Sequence, residues 1–203
     1  MVDPVYGRWG PTEVMERVLD GTWAEVVDGM GLIQPESITY SGTSAAITDL
    51  GSVEFEAVSS LSLNGVFSSD FDNYMISLRL IGNVANFPAY RLRSSSIDST
   101  TGYVRQYLYA GSTTISGGRT TGTTEFFDFG TSTSLWAGSC SYWYGPSLTQ
   151  PTAVRFIPVD ARDAATINDY AGTHSVSTSY DGFTLFPNTG TFTGRIAVYG
   201  MVK

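Results

Sequence analysis

"YMISLRLI", Tyr74 to Ile81, is the stretch on which the fold turns. Tyr74, Ile76, Leu78 and Leu80 alternate with Met75, Ser77, Arg79 and Ile81. A period of two places the first set on one face of a strand and the second on the other, one wholly apolar and one mixed. "YVRQYLYA", from Tyr103, repeats the device, with Tyr103, Arg105, Tyr107 and Tyr109 against Val104, Gln106 and Leu108. Each strand therefore buries one side against a second sheet.

Working outward, the same texture predicts strands at Val53 to Val58, Ser60 to Leu63, Tyr90 to Arg93, Glu125 to Phe129, Ser139 to Trp143, Ala153 to Ile157, His174 to Thr178, Phe183 to Phe186 and Gly194 to Val202. The runs recur about every ten residues with no helical segment between them, which favours an all-β protein built as an antiparallel, jelly-roll-like β-sandwich over residues 36–203. Composition agrees: 22 Gly, 12 Tyr and 11 Phe stand against only 15% charged residues. "YAGSTTISGGRTTGTTE", Tyr109 to Glu125, is rich in Gly and Thr and reads as a long exposed loop or loose hairpin.

Residues 1–35 have a different texture. Val14, Met15, Val18 and Leu19 recur at helical spacing, with Glu13, Glu16, Arg17 and Asp20 left for the opposite side, Thr12 placed as a cap and Gly21 at the end. With Trp9 and Trp23 they make a short amphipathic helical segment too small to fold alone, which must dock on its own β domain or on another chain. The domain expectation is an anchor segment over 1–35 followed by the sandwich.

A net charge of −8 repels phosphate backbones and anionic membrane surfaces, which argues against nucleic-acid binding. No run approaches the apolar length of a membrane span, and the N-terminus lacks the pattern of a signal peptide, so a soluble protein made in the cytoplasm is expected. The single Cys140 has no partner for an internal disulfide and reads as a small buried side chain.

Catalytic constellations are sparse. His174 is the only imidazole, and a triad needs it beside a serine and an acid; it reads instead as a polar residue at a strand edge. Asp70, Asp72 and Asn73 have neither the glycine nor the distal glutamate of an EF-hand and read as a turn ahead of Tyr74. Asp160, Arg162 and Asp163 read as solvated loop charges. We expect no catalytic residue, no metal and no cofactor. "SLWAGSCSYWYGP" gathers Trp136, Tyr142, Trp143 and Tyr144, which serve either as packing or as a glycan contact, although Trp143 takes the opposite strand face from Tyr142 and Tyr144.

"SLNGVFSSDFDNYMISLRL", Ser62 to Leu80, "YRLRSSSIDSTTGYVRQYLYAG", from Tyr90, and the terminal "DGFTLFPNTGTFTGRIAVYGMVK" resemble, in that order, a pattern of structural proteins of tailed bacteriophage virions, especially phages of cyanobacteria and actinobacteria. The resemblance covers roughly residues 50–203. It implies a jelly-roll-like domain displayed on the virion surface and assembled in the host cytoplasm, commonly as a homotrimer in a tail fibre or baseplate, with no catalytic residues. A capsid decoration protein or head fibre is the alternative, and a carbohydrate-binding module that recognises a host surface glycan is a further one. The segment 1–35, outside the pattern, is the expected link to other virion proteins. The chain's last two strand runs are read as a closing hairpin joined by Pro187-Asn-Thr-Gly190. Ile196, Val198 and Val202 face the core; Ala197, Tyr199 and Met201 face a neighbouring protomer, with Gly200 allowing a close approach or a bulge.

Overall fold

The computed structural model describes residues 30–201 apart from 112, 128–129, 132 and 161–165. The described chain is all-β, and its sixteen strands make two antiparallel sheets packed as a β-sandwich. The wide sheet runs in the order β10 (Thr114–Thr123), β9 (Tyr103–Gly111), β14 (Thr166–His174), β13 (Thr152–Asp160), β12 (Ala137–Tyr144), β6 (Asn73–Gly82), β16 (Phe192–Met201), β4 (Val53–Val58) and β3 (Ser44–Ile47). The short β1 (Met30–Ile33) joins the C-terminal half of β16. The narrow sheet runs β11 (Phe126–Phe127), β7 (Pro88–Ser94), β15 (Gly182–Pro187), β5 (Ser60–Asn64) and β2 (Ser37–Ser41), with β8 (Ile97–Asp98) on β7.

The period-two reading of Tyr74 to Ile81 holds: Tyr74, Ile76, Leu78 and Leu80 are all buried in the core. Trp143 is the centre of that core. Its indole lies 5.7 Å from the rings of Tyr90 and Phe183 in the narrow sheet and 6.0 Å from Phe156 in the wide one, with Phe67 and Phe126 at 5.9 Å. Its N–H donates to Ser141 Oγ at 2.9 Å, so the one polar atom of the indole is satisfied within its own strand.

Three chain crossings between the sheets meet at one end around Asn86. The β6–β7 link contains Asn86 itself; the β11–β12 link supplies Thr131, whose N–H donates to Asn86 O at 2.8 Å; the β15–β16 link supplies Thr189 O, which accepts from Asn86 Nδ2 at 2.9 Å. The expected closing hairpin is corrected here. Phe183 to Phe186 belongs to the narrow sheet and the last strand to the wide one, so Pro187 to Gly190 is an arch between sheets. Asn188 Oδ1 accepts from Phe87 N at 2.7 Å and Asn83 Oδ1 from Thr191 N at 2.7 Å, which pins the arch to the neighbouring crossing. A local turn signal cannot tell an arch from a hairpin, because the difference lies in where the second strand finds its partner.

One other strand expectation changes: the strand placed at His174 to Thr178 ends where it was expected to begin, as β14 terminates at His174. Of the two readings of the Gly-Thr stretch after Tyr109, the hairpin holds and the long loop does not, as β10 is an ordered strand paired antiparallel with β9 over nearly its whole length. Glycine weakens a strand through entropy, and here the Tyr107 ring covers its cross-strand partner Gly118, where a Cβ would stand 2.6 Å from the phenol oxygen. The anchor boundary also moves: residues 30–33, assigned to the anchor, are a strand of the sandwich. The helix expected over residues 12–20, with Trp9, Val14, Met15, Val18, Leu19 and Trp23, lies outside the described residues.

Trp143→Ala is expected to lower unfolding free energy by about 3–5 kcal/mol, because the cavity is bounded by rings from both sheets; chemical denaturation measures it. A chain lacking residues 1–35 is expected to melt below one lacking only 1–29, since the first loses β1 from β16; equal melting temperatures would refute a structural role for β1.

Candidate functional site

The outward faces of the two sheets differ in chemistry. On the narrow sheet, Ser60, Ser62, Asn64, Thr184, Arg91 and Arg93 point away from the core, alternating with the buried Leu61, Leu63, Phe183 and Leu185. Arg93 is held there by Thr184 Oγ1 at 2.6 Å, Asp98 Oδ1 at 3.0 Å and Ser96 O at 2.6 Å. The alternation is apolar-in, polar-out, and Ser62, Thr184 and Arg93 are themselves buried in a polar network that includes Asp98.

On the wide sheet, the outer face over β13, β14, β9 and β10 carries an aliphatic row. Val159, Ile167, Ala110 and Ile115 stand opposite one another across those four strands, on the face away from the core. Ile167 is 78% exposed, Ile115 76% and Val159 60%, and Leu108 and Ile157 beside them are more or less equally open. In β13, β14 and β9 the other face carries the core residues Val154, Phe156, Tyr170 and Tyr103, so no shift of register in those strands hides these side chains without exposing the core. The Arg155–Asp169 ion pair at 2.6 Å lies on the same face, with Asp169 directly opposite Leu108, and is balanced in charge.

Farther along the same face, across β12, the chemistry becomes polar. Arg195 on β16 stands opposite Arg79 on β6 and opposite Glu54 on β4. Together with Glu56, Ser44, Thr193 and Trp136 they line an open groove of about 550 Å³. Trp136 is 44% exposed and its ring stacks on the Arg79 guanidinium at 4.0 Å. Arg195 Nε donates to Ser52 Oγ at 2.9 Å, which fixes the side chain along the sheet. Gly194 forms part of the floor, where a Cβ would stand 2.2 Å from Arg79 O.

The sequence-selected residues separate accordingly. Trp136 is in the groove; Tyr144 is exposed and Tyr142 half-buried on the same sheet face; Trp143 is fully buried and is removed from the candidate glycan contact, because solvent cannot reach it. Ala197, Tyr199 and Met201 are half-buried on the outer side of β16, where Leu32 and Met75 flank Tyr199. Gly200 makes the close approach expected of it, with the Phe71 ring against its Cα, and β16 shows no bulge there against β6. Sequence reading missed the partners Arg79, Arg195 and Glu54, which lie on three different strands; only cross-strand register brings them together.

His174 does have a serine beside it, with Ser99 Oγ 3.0 Å from Nε2. Its other nitrogen meets the Tyr180 hydroxyl at 3.3 Å, and the ring is fully buried against Tyr103 and Tyr180. The ring therefore has an aromatic, closed environment in place of the acid and open cleft that a nucleophile–base pair requires. Asp70 is a turn residue, its N–H donating to Ser68 Oγ at 3.3 Å. Among the described residues no three His, Cys, Asp or Glu side chains converge on one point.

No family model and no curated protein matches the chain. Two solved structures show similarity: domain 4 of AbnA, a GH43 extracellular arabinanase from Geobacillus stearothermophilus in complex with arabinotriose, at 15% identity over 82% of this chain and 83% of that one with a TM-score of 0.31, and the binding domain of botulinum neurotoxin serotype G, at 8% identity over 88% and 45% with a TM-score of 0.25.

Burial holds the His174 imidazole below the ordinary histidine range, against the smaller opposing effect of backbone bonds to Thr101 and Val176. The unfolded chain then binds the extra proton as pH falls through about 6.5, so stability is highest above that pH and declines on acidification toward the depressed native value. His174→Gln is expected to flatten this part of the stability–pH profile measured by denaturant unfolding; an unchanged slope would contradict it.

Proposed function

We propose that this chain is a structural protein of a tailed-bacteriophage virion, with no enzymatic role, which assembles through the outer face of its wide sheet. The observation that carries the assembly reading is the aliphatic row Val159–Ile167–Ala110–Ile115 with Leu108 and Ile157 beside it, left bare while the narrow sheet's outer face is clothed in Ser, Thr and Arg. A contiguous apolar patch of this kind marks an interaction surface in a soluble protein. The virion assignment rests on the sequence resemblance, whose first segment spans β5, the following turn and β6 and whose second spans β7 to β9.

The partner is a further copy of the chain, in a homotrimer. The edge strand β10 adds ten residues with one open backbone edge next to the aliphatic patch, so a neighbouring copy gains both apolar burial and satisfied edge groups. Ala197, Tyr199 and Met201 extend the outward face toward β1. In this reading the jelly-roll-like sandwich is the displayed part of a tail-associated fibre or adhesion component, and the segment ahead of Met30 attaches it to other virion proteins. A capsid decoration protein would use the same face to clamp neighbouring subunits.

Ile115→Asp combined with Ile167→Asp places two carboxylates per copy in that contact. The double variant is expected to sediment as a monomer with the wild-type melting temperature, where the wild type sediments as an oligomer. An oligomer that survives both substitutions would refute this face as the contact.

A further inference from the structure

We infer that the Trp136 groove on the wide sheet binds an acidic saccharide, with Arg79 and Arg195 taking its carboxylate. The inference stands apart from self-assembly, because the groove is complete within one chain. Three features point to this ligand class. Arg79 and Arg195 are like charges directly opposite on neighbouring strands, an arrangement that costs stability in a sheet. Among the described residues neither forms an ion pair, although Glu54 is the cross-strand neighbour of Arg195. Two arginines that rise from facing positions into one groove and have no carboxylate partner present N–H donors to an incoming anion.

The second feature is Trp136, an exposed indole whose orientation is fixed by the Arg79 guanidinium stacked on it at 4.0 Å. Such a ring offers the flat apolar surface against which the C–H face of a pyranose packs. The third is the pair Glu54 and Glu56, which with Ser44 and Thr193 supply acceptors along the same groove. A densely charged polyanion meets repulsion from those two carboxylates. A sugar chain with hydroxyl donors and widely spaced carboxylates satisfies both halves of the site: hydroxyls donate to Glu54 and Glu56, and the carboxylate accepts from the arginines. The chain's net charge of −8 adds to the preference, since it disfavours polyanions in general and leaves recognition to the local arginine pair.

The test is titration calorimetry of the full-length chain with a hyaluronan oligosaccharide, which carries a carboxylate on alternate sugars, and with a partially methyl-esterified oligogalacturonate, against neutral galactan and dextran oligosaccharides of similar length. Binding of at least one acidic probe, weakened by raised salt and reduced about tenfold or more by Arg195→Gln, is the expected result, because that variant removes a charge-assisted contact while leaving the exposed surface otherwise intact. Trp136→Ala is expected to reduce binding to a similar degree, with circular dichroism checking that it folds. The inference is overturned if none of the acidic probes binds at millimolar concentration, if neutral probes bind as tightly as acidic ones, or if Arg195→Gln binds like the wild type.

Discussion

The Trp143 indole sets the geometry on which the rest depends. It meets rings from both sheets within about 6 Å, and a side chain of that size fixes the separation of the two layers where they overlap. The layers are unequal in width, ten strands against six, so a narrow sheet centred on Trp143 cannot cover the whole of the wide one. β10 and the part of β9 beyond Tyr103 therefore extend past the overlap. Asn86 ties the opposite requirement together: three crossings must carry the chain between layers at one end, and its backbone and side chain hold all three. Core and crossings leave the outer face of the wide sheet as the surface free to serve a partner.

That face is divided at β12. Gly138 stands between Arg79 on one side and Val159 on the other, so the polar groove and the aliphatic patch are neighbours in one cross-strand row without a side chain between them. Under the proposed assembly and saccharide binding, the division would give one sheet two modes of contact: burial of aliphatics, which is insensitive to salt, and charge-assisted recognition, which salt weakens. An assembly that closes over β9, β10 and β14 leaves the groove at its border, facing outward, where an extended saccharide can reach it. The Ser99–His174 contact is sealed between Tyr103 and Tyr180.

Much of this was legible in the sequence wherever a residue's role depends on its own strand. The alternation in Tyr74 to Ile81 and the boundaries of Val53 to Val58 follow from local period, and the structure places both as read. What depends on pairing between distant strands was hidden. Pro187 to Gly190 has the composition of a hairpin turn, yet its flanking strands pair with β5 and β7 on one side and β4 and β6 on the other. β10 left a loop and a hairpin both open because Gly117 and Gly118 carry no side chain to mark a face; the Tyr107 ring supplies the missing cover from the next strand. Trp136 drew attention as an aromatic, but its partners Arg79 and Arg195 are separated from it by 57 and 59 positions and become neighbours only through the register of β6, β12 and β16.

Amide hydrogen exchange on the intact wild-type protein, compared between dilute and concentrated solution, tests the assembly face most directly. The account requires amides along the open edge of β10, Thr114 to Thr123, to gain protection as concentration rises, while those of β2 at the edge of the narrow sheet keep the same exchange rate. Unchanged exchange in β10 at concentrations where the chain is oligomeric, or a gain confined to β2, would contradict it.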